Sequence, residues 1–360
     1  MASLVPFQET LHILGSGSIG LLWAASIRST FPTYPITCLL RSHHRSRINH
    51  QQQIKISWRR PLSLQPPQSP RLVTHVPAQI IIGDDDDSTS TSTTLAPHSI
   101  QNLVVTTKAH QAASAVQHIR PYLKENCNII VLCNGALAVR DELQKVLHQA
   151  DDDDTPNLIV ATTTHGVYQP QPSTEDDDDD DDGNTYHIEH AGLGKTFVED
   201  RISGLGQLWD KSGLHCTSIA SKEMNVLLWQ KLAANCVINP LTAIYNCPNG
   251  ELLMEPSVPE MMHDVLDELS HVAKQLVVTD HDDDDDDDDK LSTQALTMFV
   301  RQVIHDTASN KSSMWQDVLH KRRTEVDHLN GYVVAKGRSL GLECPANEDL
   351  CDRIREFKRG

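Results

Sequence analysis

The sequence predicts an α/β fold, with an N-terminal doubly wound sheet followed by an all-α C-terminal domain. Three observations carry this prediction. Short apolar runs alternate with helical patterns from residue 10 to 218. A G-x-G-x-x-G turn, Gly15 to Gly20, joins the first of those runs to the first helical pattern. After residue 220 strand patterns nearly vanish, and helical periodicity covers 222–247, 258–278, 291–308, 313–338 and 347–358. Residues 1–220 are therefore expected to form one domain and 221–360 a second, which a chain of 360 residues can supply.

Residues 10–14 read as a buried strand leading into the glycine turn, with a helix over 21–27. In this strand-turn-helix setting the motif reads as a Rossmann-like dinucleotide fingerprint in preference to a plain glycine turn. Gly15 permits the tight turn, Gly17 lets the backbone approach a pyrophosphate, and Gly20 allows close helix–strand packing. The helix N-terminus, with Ser16, Ser18 and Ile19 around it, then faces the phosphates. A second strand, 36–40, ends at Arg41, where an NAD site usually carries an acid. Arginine pairs with a 2′-phosphate, so NADP is the expected cofactor. Arg45 and Arg47 read equally well as a solvated basic turn.

Residues 59–100 are rich in Pro, Gln, Ser, Thr and Asp, and are expected to be mostly a long surface loop with a short strand at 80–82. Regular structure resumes with a strand at 102–106, whose carboxyl end carries Lys108. A helix over 109–123, a strand at 128–132 ending in Cys133-Asn134-Gly135, and a helix over 137–150 follow. The next strand, 157–162, ends at Thr164-His165-Gly166, with His165 read as structural in preference to an acid or base. A strand at 186–189, a helix over 198–212 and a strand at 214–218 complete the domain.

The formal charge of −18 is set by four aspartate runs, 84–87, 151–154, 176–182 and 282–289. They hold 23 of the 49 acidic residues, and without them 26 acids face 31 bases. The runs lack the glycine and spaced ligands of a calcium loop, so they are read as solvated insertions and no metal is expected. The run at 176–182 should decorate a hairpin loop. Eight cysteines form no C-x-x-C pair and are expected to act as small hydrophobes. No secretory signal and no apolar span of membrane length are evident, so a cytoplasmic protein is expected.

The densest stretch is 225–252. Lys231 lies inside an apolar helical pattern, with Asn235 and Asn239 four and eight residues on, near the same helix face. Pro240 interrupts the helix interior and Asn249-Gly250 marks a turn. A desolvated lysine is suited to proton donation, whereas a core-helix lysine can also snorkel to the surface. The two asparagines and the turn favour a site. Further on, Asn310, Lys311, Ser312 and Ser313 could cap a helix from Met314, and Glu325 stands twelve residues beyond Ser313 in that helix.

Two segments, KLAANCVINPLTAIYNCPNGEL (231–252) and SSMWQDVLHKRRTEVDHLNGYVVAKGRSLGLECPAN (312–347), give the chain a family resemblance. It resembles ketopantoate reductase (2-dehydropantoate 2-reductase), from the glycine turn to the last helix. The resemblance implies NADP-dependent reduction of 2-dehydropantoate to (R)-pantoate, on the route to pantothenate and coenzyme A. By motif, Lys231 matches the general acid and Glu325 a cleft carboxylate near the lysine and the cofactor. Asn235, Asn239, Asn249, Asn310, Ser312 and Ser313 match substrate-binding positions. Gly15, Ser16, Gly17, Ser18, Ile19, Gly20, Arg41, Lys108, Asn134, Gly166 and Glu325 match cofactor contacts. The implied partner is a small 2-keto acid, with no nucleic acid and no membrane, and the implied assembly is a monomer or homodimer. A reductase of another branched 2-keto acid and a non-catalytic NADP-binding sensor are the alternatives. The aspartate runs and the polar 59–100 region depart from the family pattern.

Overall fold

A computed structural model of the chain describes residues 7–61, 71–81, 95–147, 155–170, 184–277 and 289–357. The aspartate runs lie outside the described residues, apart from Asp289, as do 62–70 and 82–94 of the expected loop. The chain divides into two compact units, Met1–Ser221 and Lys222–Gly360.

In the first unit, β1 (Leu11–Leu14) is buried at every residue and leads into α1 (Ser18–Thr30). β2 (Ile36–Arg41), β3 (Gln53–Arg59), β4 (Leu72–Ile81), β5 (Ile100–Val105) and α2 (Ala109–Ile119) follow. Then come β6 (Leu123–Val131), α3 (Ala136–Leu147), β7 (Asn157–Thr163), β8 (Gly166–Tyr168) and β9 (Thr185–Gly192). β10 (Thr196–Glu199), α4 (Leu205–Trp209) and β11 (Cys216–Ile219) close the unit. Among the described residues the strand order is β11-β10-β7-β6-β5-β1-β2-β4-β3-β9-β8.

The run β4-β2-β1-β5-β6-β7 is parallel throughout. From β1 the chain moves outward through β2 and β4, then returns to lay β5 on the other side of β1. The direction of winding therefore reverses between β1 and β5, where doubly wound sheets bind ligands at the carboxyl ends of their strands. Leu21, Leu22, Trp23, Ala24, Ala25 and Ile27 make α1 apolar on all sides, and all are buried. Helix α1 touches β1 and β2 and also β3, β4, β8 and β9, so both parts of the sheet cover it.

Four sequence expectations are corrected in this unit and the next. First, β4 is a ten-residue strand where a loop is expected. It pairs in parallel with β2 and antiparallel with β3, and it accommodates Pro77, which faces Gln53. Second, α2 stops at Ile119 because Pro121 enters a 3-10 turn and offers no amide to an α-helix, and Leu123 already pairs with Ile100. Third, Phe197 and Val198 are strand residues, paired with Thr162 and Ala161 of β7, and the helix begins only at Leu205 behind Gly204 (φ +82°).

The second unit is helical. Its main elements are α5 (Ser221–Tyr245), α6 (Val258–Val277), α7 (Thr293–Asp306), α8 (Ser313–Leu319), α9 (Asn330–Ser339) and α10 (Pro345–Glu356). The fourth correction falls here: the expected helix over 313–338 is two helices. Lys321 takes a left-handed φ of +53°, and the Arg322 amide bonds the Asp317 carbonyl at 2.7 Å, which ends α8. Glu325 therefore precedes a short 3-10 turn (Val326–His328) and is not in α8.

Helix α5 runs unbroken through Pro240, although proline leaves the Cys236 carbonyl without its usual amide donor four residues on. Asn330 supplies that donor, its Nδ2 lying 2.9 Å from Cys236 O. The same nitrogen donates to Asn347 Oδ1 at 3.0 Å, and Asn347 Nδ2 donates to Glu268 Oε2 at 2.7 Å. This network ties α5, α9, α10 and α6 together. Among the described residues no helix is long and apolar enough to cross a membrane.

Candidate active site

In the first unit the expected cofactor positions collect at one edge of the parallel sheet. The glycine turn follows β1, Arg41 ends β2, Lys108 follows β5, Asn134 follows β6 and Gly166 follows β7. Gly15 has φ +120°, a conformation glycine adopts without strain. A Cβ on Gly20 would lie 2.4 Å from Thr106 Oγ1 and 2.8 Å from Gly15 O, so only glycine lets α1 approach β5 this closely. Thr106 is fixed in turn, its amide and hydroxyl both donating to Leu14 O, at 2.9 and 3.1 Å. Gly17 caps α1 with no side-chain bond, so the first-turn amides near Ser18 and Ile19 have no capping side chain. These features fit a dinucleotide pyrophosphate.

Beyond Arg41 a 3-10 turn, Ser42–Arg47, carries His43, His44, Arg45 and Arg47. His44 Nε2 lies 2.9 Å from Ser16 Oγ and fastens this turn to the glycine turn. Partial burial, then His43, Arg47 and Arg41, push the His44 ring down to about 4. Burial is the larger cause, and the basic groups around the ring, Arg41 and Arg47 among them, add to it. Arg47 sits 4.5 Å above the Tyr186 ring, and Arg45 is exposed. Sequence reasoning missed the link through His44. Its signal was a histidine beside an arginine cluster after β2.

His165 is structural. Its Nε2 donates to Leu214 O at 3.0 Å, and its Nδ1 accepts from the Gly194 amide at 3.1 Å. With Nδ1 thus an acceptor, His190 Nε2 at 2.8 Å is the donor. Burial pushes both rings below the ordinary histidine value.

In the second unit Lys231, Asn235 and Asn239 lie on α5 at helical spacings of four residues. Lys231 and Asn235 are half-buried and Asn239 is buried. Neither asparagine side chain hydrogen-bonds to another described residue. Asn249 is buried and opens a 3-10 turn (Asn249–Met254), with its Nδ2 2.9 Å from Thr307 Oγ1.

The cap of α8 is Ser312, within the stretch expected to cap it, and its Oγ accepts from the Trp315 amide at 3.1 Å. The Ser312 and Thr242 hydroxyls are 2.6 Å apart, which joins α8 to α5. Ser312 is therefore engaged by protein partners, whereas Ser313 is half-buried and makes no side-chain hydrogen bond among the described residues. Asn310 has an exposed side chain and a carbonyl that accepts from the Asn249 amide at 3.1 Å. Glu325 is 4% exposed. The polar residues of α5, Asn249, Ser313 and Glu325 thus belong to one helical unit. Asn330, Asn347 and Thr307 support them and were not singled out from sequence.

A Rossmann-like sheet with a glycine turn, followed by a helical unit with a lysine and several buried amides, is an architecture that nucleotide-dependent oxidoreductases use. Family models narrow it. The model described as "Ketopantoate reductase PanE/ApbA" matches residues 11–201, and "Ketopantoate reductase PanE/ApbA C terminal" matches 223–358. A 2-dehydropantoate 2-reductase of Vibrio cholerae serotype O1 is 31% identical over 269 residues, covering 71% of this chain and 77% of that protein. One of Yersinia pestis is 30% identical over 282 residues, covering 77% and 81%. The crystal structure of a PanE/ApbA family ketopantoate reductase from Ralstonia eutropha JMP134 shares the fold, with TM-score 0.71, 22% identity and 98% and 99% coverage. The chain belongs to the ketopantoate reductase family of NAD(P)-dependent oxidoreductases.

Proposed function

We propose that this enzyme reduces 2-dehydropantoate to (R)-pantoate with NADPH, and that Lys231 donates the proton. Residues 1–220 then serve as the NADP-binding domain and 221–360 as the substrate-binding and catalytic domain. The observation that carries the reading is the α5 face on which Lys231, Asn235 and Asn239 recur at spacings of four residues. A lysine and two amides on one helix face supply a proton donor and hydrogen-bonding groups together.

When bound, NADPH would supply the hydride that the ketone carbon takes up. The chain's own groups do the rest. Gly15, Gly17 and Gly20 admit the pyrophosphate to the amides at the start of α1, with Lys108, Asn134 and Gly166 along the same edge. Arg41 pairs with the 2′-phosphate, beside the basic turn that carries Arg45 and Arg47. The Lys231 ammonium stabilises charge growing on the ketone oxygen and gives it a proton. Ser313, Asn235, Asn239 and Asn249 hydrogen-bond the substrate, and Glu325 orients the lysine.

Lys231→Ala tests the assignment. Turnover of 2-dehydropantoate should fall by about 10² or more, the range for general acid catalysis, while NADPH still binds. Near-normal turnover would overturn the role of Lys231. A faster reaction with 2-oxoisovalerate than with 2-dehydropantoate in the unaltered enzyme would shift the substrate to another branched 2-keto acid.

A further inference from the structure

Asn249 is held by a turn at the end of α7. Its amide donates to Asn310 O at 3.1 Å, the Gly250 amide donates to Ala308 O at 2.9 Å, and the Asn310 amide donates to Thr307 O at 2.8 Å. A Cβ on Gly250 would lie 2.7 Å from Ala308 Cβ, so glycine is what lets the two segments meet. The side chain is held as well. Thr307 Oγ1 gives its single proton to Val303 O at 2.6 Å. That hydroxyl can only accept from Asn249, 2.9 Å away, so the atom facing it must be the amide nitrogen. Oδ1 is thereby turned the other way, and it is buried with no hydrogen-bond partner among the described residues.

We propose that Thr307 is a positioning residue that fixes the Asn249 amide so that its acceptor oxygen, Oδ1, receives the hydroxyl of a hydroxylated 2-keto acid. This rests on the function proposed above. A 2-keto acid anion offers acceptors at its ketone and carboxylate, and neither can satisfy another acceptor. The hydroxyl is the one donor on 2-dehydropantoate, so Asn249 reads that group. Thr307 then acts on selectivity between hydroxylated and plain 2-keto acids, without touching substrate.

The test compares kcat/KM for 2-dehydropantoate and for trimethylpyruvate, the same acid without its hydroxyl, in the unaltered enzyme, Thr307→Val and Thr307→Ser. The preference for the hydroxylated acid should fall about tenfold or more in Thr307→Val, mainly through KM, on the scale of one lost hydrogen bond. Thr307→Ser keeps the acceptor and should keep the preference within about twofold. Thr307→Ala removes the same oxygen and replaces the valine variant should that fail to fold. Equal losses on both acids, or an unchanged preference in a folded Val or Ala variant, overturn the assignment of Thr307 alone. An unaltered enzyme that reduces neither acid overturns both this proposal and the function on which it rests.

Discussion

Replacing Asn330 with alanine should destabilise the helical unit, and a second substitution should reveal why. The Asn330 side chain is fully buried and donates to Cys236 O and Asn347 Oδ1 at 2.9 and 3.0 Å. Each bond contributes about 1 kcal/mol net, and each buried acceptor left behind costs about 1–3 kcal/mol. Loss of Asn330 Oδ1, itself without a partner, offsets part of this. The net cost should be roughly 2–4 kcal/mol. Cys236 O depends on Asn330 only because Pro240 has no amide hydrogen. Pro240→Ala restores that hydrogen four residues beyond Cys236, so in its background Asn330→Ala should cost about 1–2 kcal/mol less. Urea unfolding of the four proteins gives the coupling directly, provided the m-values agree. Additivity within about 0.5 kcal/mol would refute the claim that Asn330 repairs the proline break.

Gly20→Ala should abolish NADPH binding or unfold the first unit, because its Cβ would stand 2.4 Å from Thr106 Oγ1; fluorescence titration with unchanged affinity would contradict the packing argument. Arg41→Ala should weaken NADPH far more than NADH, and equal weakening would remove the case for 2′-phosphate recognition. Ser312→Ala should lower stability by about 1 kcal/mol through loss of the α8 cap, measured by thermal or urea unfolding, with no change meaning that the cap contributes nothing. Acid should destabilise the first unit through His190, which burial and then His165 push from 6.5 to about 4. The unfolded chain binds the extra proton between those values, so stability present above 6.5 is lost as pH falls to 4, by on the order of 3 kcal/mol. A urea midpoint equal at pH 7.5 and pH 4.5 would contradict this.

The doubly wound core was legible because its signals are local. β1, β5, β6 and β7 are short apolar runs, and Gly15, Gly17 and Gly20 are spaced for one turn. Helix boundaries were legible where caps or prolines sit beside apolar periodicity, as at α5 and α10. β4 was not legible, because Pro77 and polar residues mask a strand whose bonds come from β2 and β3. The 198–212 error has a similar origin, since Phe197 and Val198 pair with a strand more than thirty residues earlier. The break after α8 depends on the left-handed backbone at Lys321, which composition does not encode.

At the site the same division holds. Sequence alone singled out Lys231 with its two asparagines, the glycine turn and Arg41, since each is marked by its own type and spacing. It could not tell that Ser312 is occupied as a cap, that His44 joins two turns, or that Asn330 replaces the bond lost at Pro240. Nor could it tell which end of Asn249 is left without a partner among the described residues, because Thr307 decides that from 58 positions away. Periodicity and motif spacing are properties of neighbouring residues, so the chain determined its elements and its candidate chemistry by itself. Which polar atoms are already satisfied, and which remain for a ligand, depends on partners distant in sequence, and only the tertiary structure decided it.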